Sequence, residues 1–197
     1  MSASFRGEIG VQQDRIGAGF YWRFVLVGIV TYVLHEAAHW VTGLALGYPV
    51  AFSLNGVTPS GQMTASDHVL FSLAGPAITA IGAVAAFVWL RRDRALTAYA
   101  IIYFAFFMRL VAAAASLFNP NDEARASTLL GLGMWTLPAI MVLALGALTI
   151  VSSRALRLSW KVNVGAYVVC SVVISAIVGL DTLLRALGPL ASAVARA

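Results

Sequence analysis

The chain has 197 residues, of which 60% are hydrophobic and only 11% charged, and its mean hydropathy is +0.87. A soluble domain of this size carries about twice that charge, so the composition argues against a water-soluble globular enzyme and for an integral membrane protein. The net charge of +5 is too small and too scattered for a nucleic-acid surface, and the single cysteine, Cys170, excludes an internal disulfide.

Residues 1–19 are polar, with Gln12, Gln13, Asp14 and Arg15, and read as an N-terminal tail or surface helix. Residues 20–190 read as one polytopic membrane domain, followed by a C-terminal tail at 191–197. A transmembrane helix needs roughly 20 mainly apolar residues. Five segments qualify, at about 20–46, 67–90, 95–118, 127–151 and 162–187. The first is too long, and wrongly flanked, for a cleaved signal peptide. The expected fold is therefore an all-α integral membrane protein of about five transmembrane helices, with a short β-hairpin after the first. The hairpin is expected at 50–64, where Val50, Phe52 and Leu54 alternate ahead of Asn55-Gly56 in an uncharged stretch.

Basic residues set the orientation. Alternate crossings collect Arg6, Arg15, Arg23, Arg91, Arg92, Arg94, Arg154, Arg157 and Lys161 on one side of the bilayer, against Arg125, Arg185 and Arg196 on the other. This predicts a plasma-membrane protein with a cytoplasmic N-terminus, and loops 48–66 and 119–126 facing outward.

The first apolar segment contains "YVLHEAAHWV" at 32–41. His35 and His39 are spaced i, i+4, which puts both imidazoles on one helix face, one turn apart. Two imidazoles so placed can share a zinc ion, and Glu36 beside them can act on a metal-bound water, the His-Glu-x-x-His metallohydrolase arrangement. An ionised glutamate at membrane depth costs about 3 kcal/mol, which argues for a functional role over a merely structural polar contact or proton relay. A catalytic zinc site needs a third protein ligand. The loop "FNPNDEARAS" returns to the same side as the histidines and offers Asp122 first and Glu123 in reserve, with Asn121 or Asp122 also suited to cap the following helix. His68, at the mouth of the second segment, reads as an interfacial side chain. Gly75-Pro76 in that segment removes bulk and frees a carbonyl, opening space beside the histidines. Arg109 is expected to pair with Asp181 or with a carboxylate near the site; alternatively Asp181 pairs with Arg185 at i, i+4.

His35-Glu36-Ala37-Ala38-His39, then a small-Gly-Pro segment, then Asn119-Pro120-Asn121-Asp122 follow the order seen in site-2 proteases, and over residues 30–125 the chain resembles that family of zinc intramembrane metalloproteases. The Asn, Pro and Asp are more closely spaced than the family's pattern, and no Gly follows the Asp. The resemblance implies Zn2+ held by His35, His39 and Asp122, Glu36 as general base, Asn119 as the amide that steadies the reacting carbonyl, and the hairpin as a substrate contact. It also implies a site nearer the cytosol, whereas the arginine balance puts it nearer the outside. No PDZ-like insertion is present, so selection of a transmembrane protein substrate would rest on the bilayer-embedded core or a regulatory membrane partner. Two other readings stand beside the protease: a membrane metallohydrolase of a non-peptide or soluble substrate, and a non-catalytic metal-binding membrane scaffold.

Overall fold

The computed structural model describes residues 16–194, with side chains as far as 187; most of the expected N-terminal tail and the end of the C-terminal tail, Arg196 included, lie outside the described residues. Six helices and one hairpin follow in the order α1 Ala18–Ala45, β1 Val50–Ser53, β2 Gly56–Pro59, α2 Ala65–Asp93, α3 Leu96–Ala115, α4 Asp122–Leu129, α5 Thr136–Ala155 and α6 Trp160–Val194. Five of them (all but α4) are long and apolar enough to cross a membrane.

Local chemistry explains where these helices start and stop. Thr64 caps α2 by accepting a hydrogen bond from the Asp67 N–H at 3.2 Å, with the Asp67 carboxylate in the positive first turn. At its other end Arg91 and Arg92 complement the dipole, and Arg94 adopts a left-handed conformation (φ 50°) that turns the chain directly into α3. The Arg94 guanidinium donates to the Ala155 carbonyl at 2.7 Å and so ties this turn to the end of α5.

α3 is the centre of the bundle. Over its most apolar stretch of 18 residues 56% are buried, against 22% for the corresponding stretches of α5 and α6. It packs on α1, α2, α5 and α6, while α4 lies against α2 and α5. Phe20 and Phe24 of α1 meet Tyr99, Tyr103 and Phe104 of α3 in the main core, with edge-to-face ring pairs at 5.7 Å for Phe24–Tyr103 and 6.4 Å for Phe24–Tyr99. Many large apolar side chains of α1, α5 and α6 point outward, among them Trp22, Leu26, Leu143 and Val172. In water such faces would be a liability; they suit a hydrocarbon solvent.

The structure differs from the sequence expectation in two places. The apolar run expected as one helix over 127–151 is broken: α4 ends at Leu129 and α5 starts at Thr136. Gly131 and Gly133 take φ of +71° and +81°, which reverse the chain, and the buried Ser127 hydroxyl donates to the Gly133 carbonyl while accepting from the Leu137 N–H. Hydropathy does not register such a break, because the turn residues are themselves apolar. The hairpin forms, but its two-residue loop is Leu54-Asn55, one position before the expected Asn55-Gly56, and its strands end at Pro59. Side chains of α6 hold that register. Asp181 accepts from the Leu54 N–H at 2.9 Å, and Arg185, paired with Asp181 at 2.7 Å, donates to the Ser53 hydroxyl at 2.5 Å. Asp181 therefore pairs with Arg185, not with Arg109.

Candidate metal centre

His35, Glu36 and His39 lie in the C-terminal half of α1, with His35 about 15 Å along the axis from the end of the helix at Ala45. All three are buried, with 3%, 6% and 4% of their surface exposed. The i, i+4 spacing brings the two Nε2 atoms to 3.2 Å. Asp122, the first residue of α4, reaches in from the other side, its Oδ2 3.2 Å from His35 Nε2 and 3.4 Å from His39 Nε2. Asn121 sets this approach: its side-chain oxygen caps α4 by accepting from the Ala124 N–H at 2.8 Å. Capping falls to Asn121 and the inward carboxylate to Asp122.

The protons on the imidazoles follow from their outer partners. His39 Nδ1 lies 2.7 Å from the Phe71 carbonyl, which only accepts, so Nδ1 carries the proton. His35 Nδ1 lies 3.2 Å from Thr79 Oγ1, whose own proton is donated to the Gly75 carbonyl at 2.9 Å, so this Nδ1 is also the donor. With Nδ1 as the outer donor, both rings turn Nε2 toward each other and toward a carboxylate oxygen, in the tautomer that frees Nε2 for ligation. Two ring nitrogens and a carboxylate oxygen lie edge to edge at 3.2–3.4 Å, a contact that needs a proton or a metal cation between them. An ion holding tetrahedral ligands at 2.0–2.1 Å spaces them about 3.3 Å apart. The donor set and the triangle it makes therefore fit a metal ion, and among the described residues His35, His39 and Asp122 are the group able to hold one.

Gly75 is the residue that admits the pair. A Cβ there would run into His35 Cε1 and His39 Nε2 and lie 2.6 Å from His35 Nδ1, so any side chain would displace the ligands. Pro76 follows it inside α2, so the carbonyl one turn earlier, at Ser72, has no helical donor from that position.

A cleft of about 810 Å³ opens onto the site. Glu36 lines it, and its carboxylate accepts no hydrogen bond from the described residues. β2 lines it through Gly56, Val57 and Thr58, and α6 through Ser175, Val178 and Gly179. Asn119 stands at the cleft on the exposed stretch after α3. Asn121 also lines it, and its amide nitrogen is buried without a partner among the described residues, a feature the sequence does not reveal. Glu123 is not brought to the histidines: it is buried against Arg109, Oε1 to Nη1 3.0 Å. His68 is half-buried and does not line the cleft.

Comparison with known proteins returns no relative: no protein-family model, curated protein or solved structure matches the chain. What fold and site define is a bundle of apolar helices with a candidate His-His-Asp metal centre at one end.

Proposed function

We propose that this protein is a membrane-embedded zinc metalloprotease that hydrolyses peptide bonds of transmembrane or membrane-proximal substrates. The observation that carries this reading is the meeting of three potential ligand atoms from His35, His39 and Asp122 beside the buried Glu36 carboxylate, which has no hydrogen-bond partner among the described residues, in an open cleft between apolar helices. A zinc ion held by these three ligands would supply a Lewis acid and an acidified water. Thr79 and the Phe71 carbonyl fix the imidazole tautomers that leave Nε2 free for ligation. Glu36, next to His35 on α1, accepts the water proton and returns it to the leaving amine. An amide N–H from Asn119 or from the buried Asn121 stabilises negative charge developing on the substrate carbonyl.

A helical substrate hides its peptide bonds in its own hydrogen bonds and must be held extended. Among the described residues β2 has only β1 as a strand neighbour, which leaves its other edge for strand addition on the cleft side. The breadth of the cleft, from α1 across to α6, suits a chain segment better than a small solute. Orientation in the plasma membrane, with the N-terminus cytoplasmic, remains part of the proposal and rests on the basic-residue balance.

The test is Glu36→Gln in the purified full chain. Gln is nearly isosteric but cannot take the proton, so zinc content and fold should be kept while cleavage of a transmembrane substrate falls by about 10²–10⁴-fold. Normal turnover by this variant would remove Glu36 from the mechanism.

A further inference from the structure

We propose that Glu123 is a positioning residue that holds the Arg109 guanidinium away from the metal-ligating oxygen of Asp122; the inference rests on reading His35, His39 and Asp122 as a metal site. Two adjacent acids open α4, and successive helical residues project about 100° apart, so one backbone cannot aim both at one target. Asp122 faces the histidines and Glu123 faces α3. There it meets Arg109, the one charged residue of the 20-residue helix α3. Both are almost fully enclosed, at 2% exposure for Arg109 and 1% for Glu123.

The guanidinium stays charged under all ordinary conditions, and although Arg109 borders the cleft only 2% of its surface is exposed. It must therefore find an anion inside the bundle, and it has two within reach. Its Nη1 is 3.0 Å from Glu123 Oε1 and 3.9 Å from Asp122 Oδ2. Oδ2 is the oxygen that faces both histidines. The other Asp122 oxygen, Oδ1, is already taken by Arg125 at 2.5 Å. If Arg109 moved less than 1 Å toward Oδ2, both oxygens of Asp122 would accept from guanidinium N–H groups. The lone pair needed for ligation would be occupied, and a positive charge would lie against the metal position. Glu123 prevents this by being the nearer anion, and its charge cancels that of Arg109 beside the site.

This role differs from simple anchoring of α4, and the two predict opposite outcomes when Arg109 is also neutralised. The experiment is zinc titration of the detergent-solubilised full chain against a competing chelator, with monodispersity by size exclusion as the check on folding. Glu123→Gln frees Arg109 and should weaken zinc binding by at least about tenfold. Adding Arg109→Gln to make R109Q/E123Q removes the competitor while leaving two amides able to bond across the gap. Affinity should return to within about threefold of the parent. Where Glu123→Gln alone fails to fold, Arg109→Gln alone serves: it should bind zinc as tightly as the parent or more tightly. Parent-like affinity in Glu123→Gln, a double variant as weak as or weaker than Glu123→Gln, or weakened binding in Arg109→Gln would each overturn the proposal. A parent that binds no zinc would instead overturn the functional reading beneath it.

Discussion

The two ends of the bundle treat polar groups in opposite ways. At the arginine-rich end the polar side chains close on one another. Tyr99 donates to Asn163, Asn163 donates to Ser153 at 3.0 Å, Tyr103 donates to the Asn163 carbonyl at 3.0 Å, and Arg23 reaches Thr97 at 3.1 Å. These bonds tie α1, α3, α5 and α6 together beneath a packed aromatic core. At the other end equally buried groups converge on one another around the cleft. The Nε2 atoms of His35 and His39 point at Asp122, Glu36 has no hydrogen-bonded protein partner among the described residues, and the Asn121 amide nitrogen is unpartnered. Buried polar groups left unpaired are costly, and the cost is greater in hydrocarbon. One end is thus closed by its own hydrogen bonds, whereas the other presents a group that could hold a metal ion.

Substitutions at each end can break or sharpen this contrast. The largest effect is expected at Gly75. Gly75→Val puts methyl groups where His35 and His39 meet, and should lower zinc affinity by more than about a hundredfold, read by chelator competition. Retained affinity would mean that the histidines are not held against α2. Thr79→Val should act more gently, because it removes the hydroxyl that fixes the His35 tautomer and bonds the Gly75 carbonyl but leaves every ligand in place. Affinity should fall about tenfold with thermal stability near the parent's. At the closed end the signs reverse. Tyr99→Phe should cost about 1 kcal/mol in stability, measured by unfolding in detergent, with zinc affinity unchanged. A change in metal binding from Tyr99→Phe would show that the two ends are not independent.

How much of this was legible in the sequence differs residue by residue. His35 and His39 were, because i, i+4 proximity is a local property of any helix. Asp122 was legible through topology alone, since alternate crossings return the loop after the third span to the histidine side. The division of labour among Asn121, Asp122 and Glu123 was not legible beyond the order of preference. Three neighbouring polar residues look alike until the rotation of α4 against α2 decides which faces where. The partner of Arg109 was open for the same reason, as Asp181 and Glu123 were both plausible anions until α6 committed Asp181 to Arg185 and the hairpin. The hairpin itself was read from its alternation, but its register moved by one residue because α6 grips Ser53 and Leu54. The break at 130–135 was hidden from hydropathy, although Gly131 and Gly133 marked it.

The central claim is that the open end is built around a metal held by two helical histidines and Asp122. Zinc stoichiometry, with X-ray absorption of the bound ion, tests it most directly in the purified parent and in Asp122→Ala. The account predicts one zinc per chain in the parent, with two imidazole nitrogens and a carboxylate oxygen at about 2.0–2.2 Å, and loss of that ion in Asp122→Ala. No bound metal in the parent, or an unchanged first coordination sphere in Asp122→Ala, would contradict it.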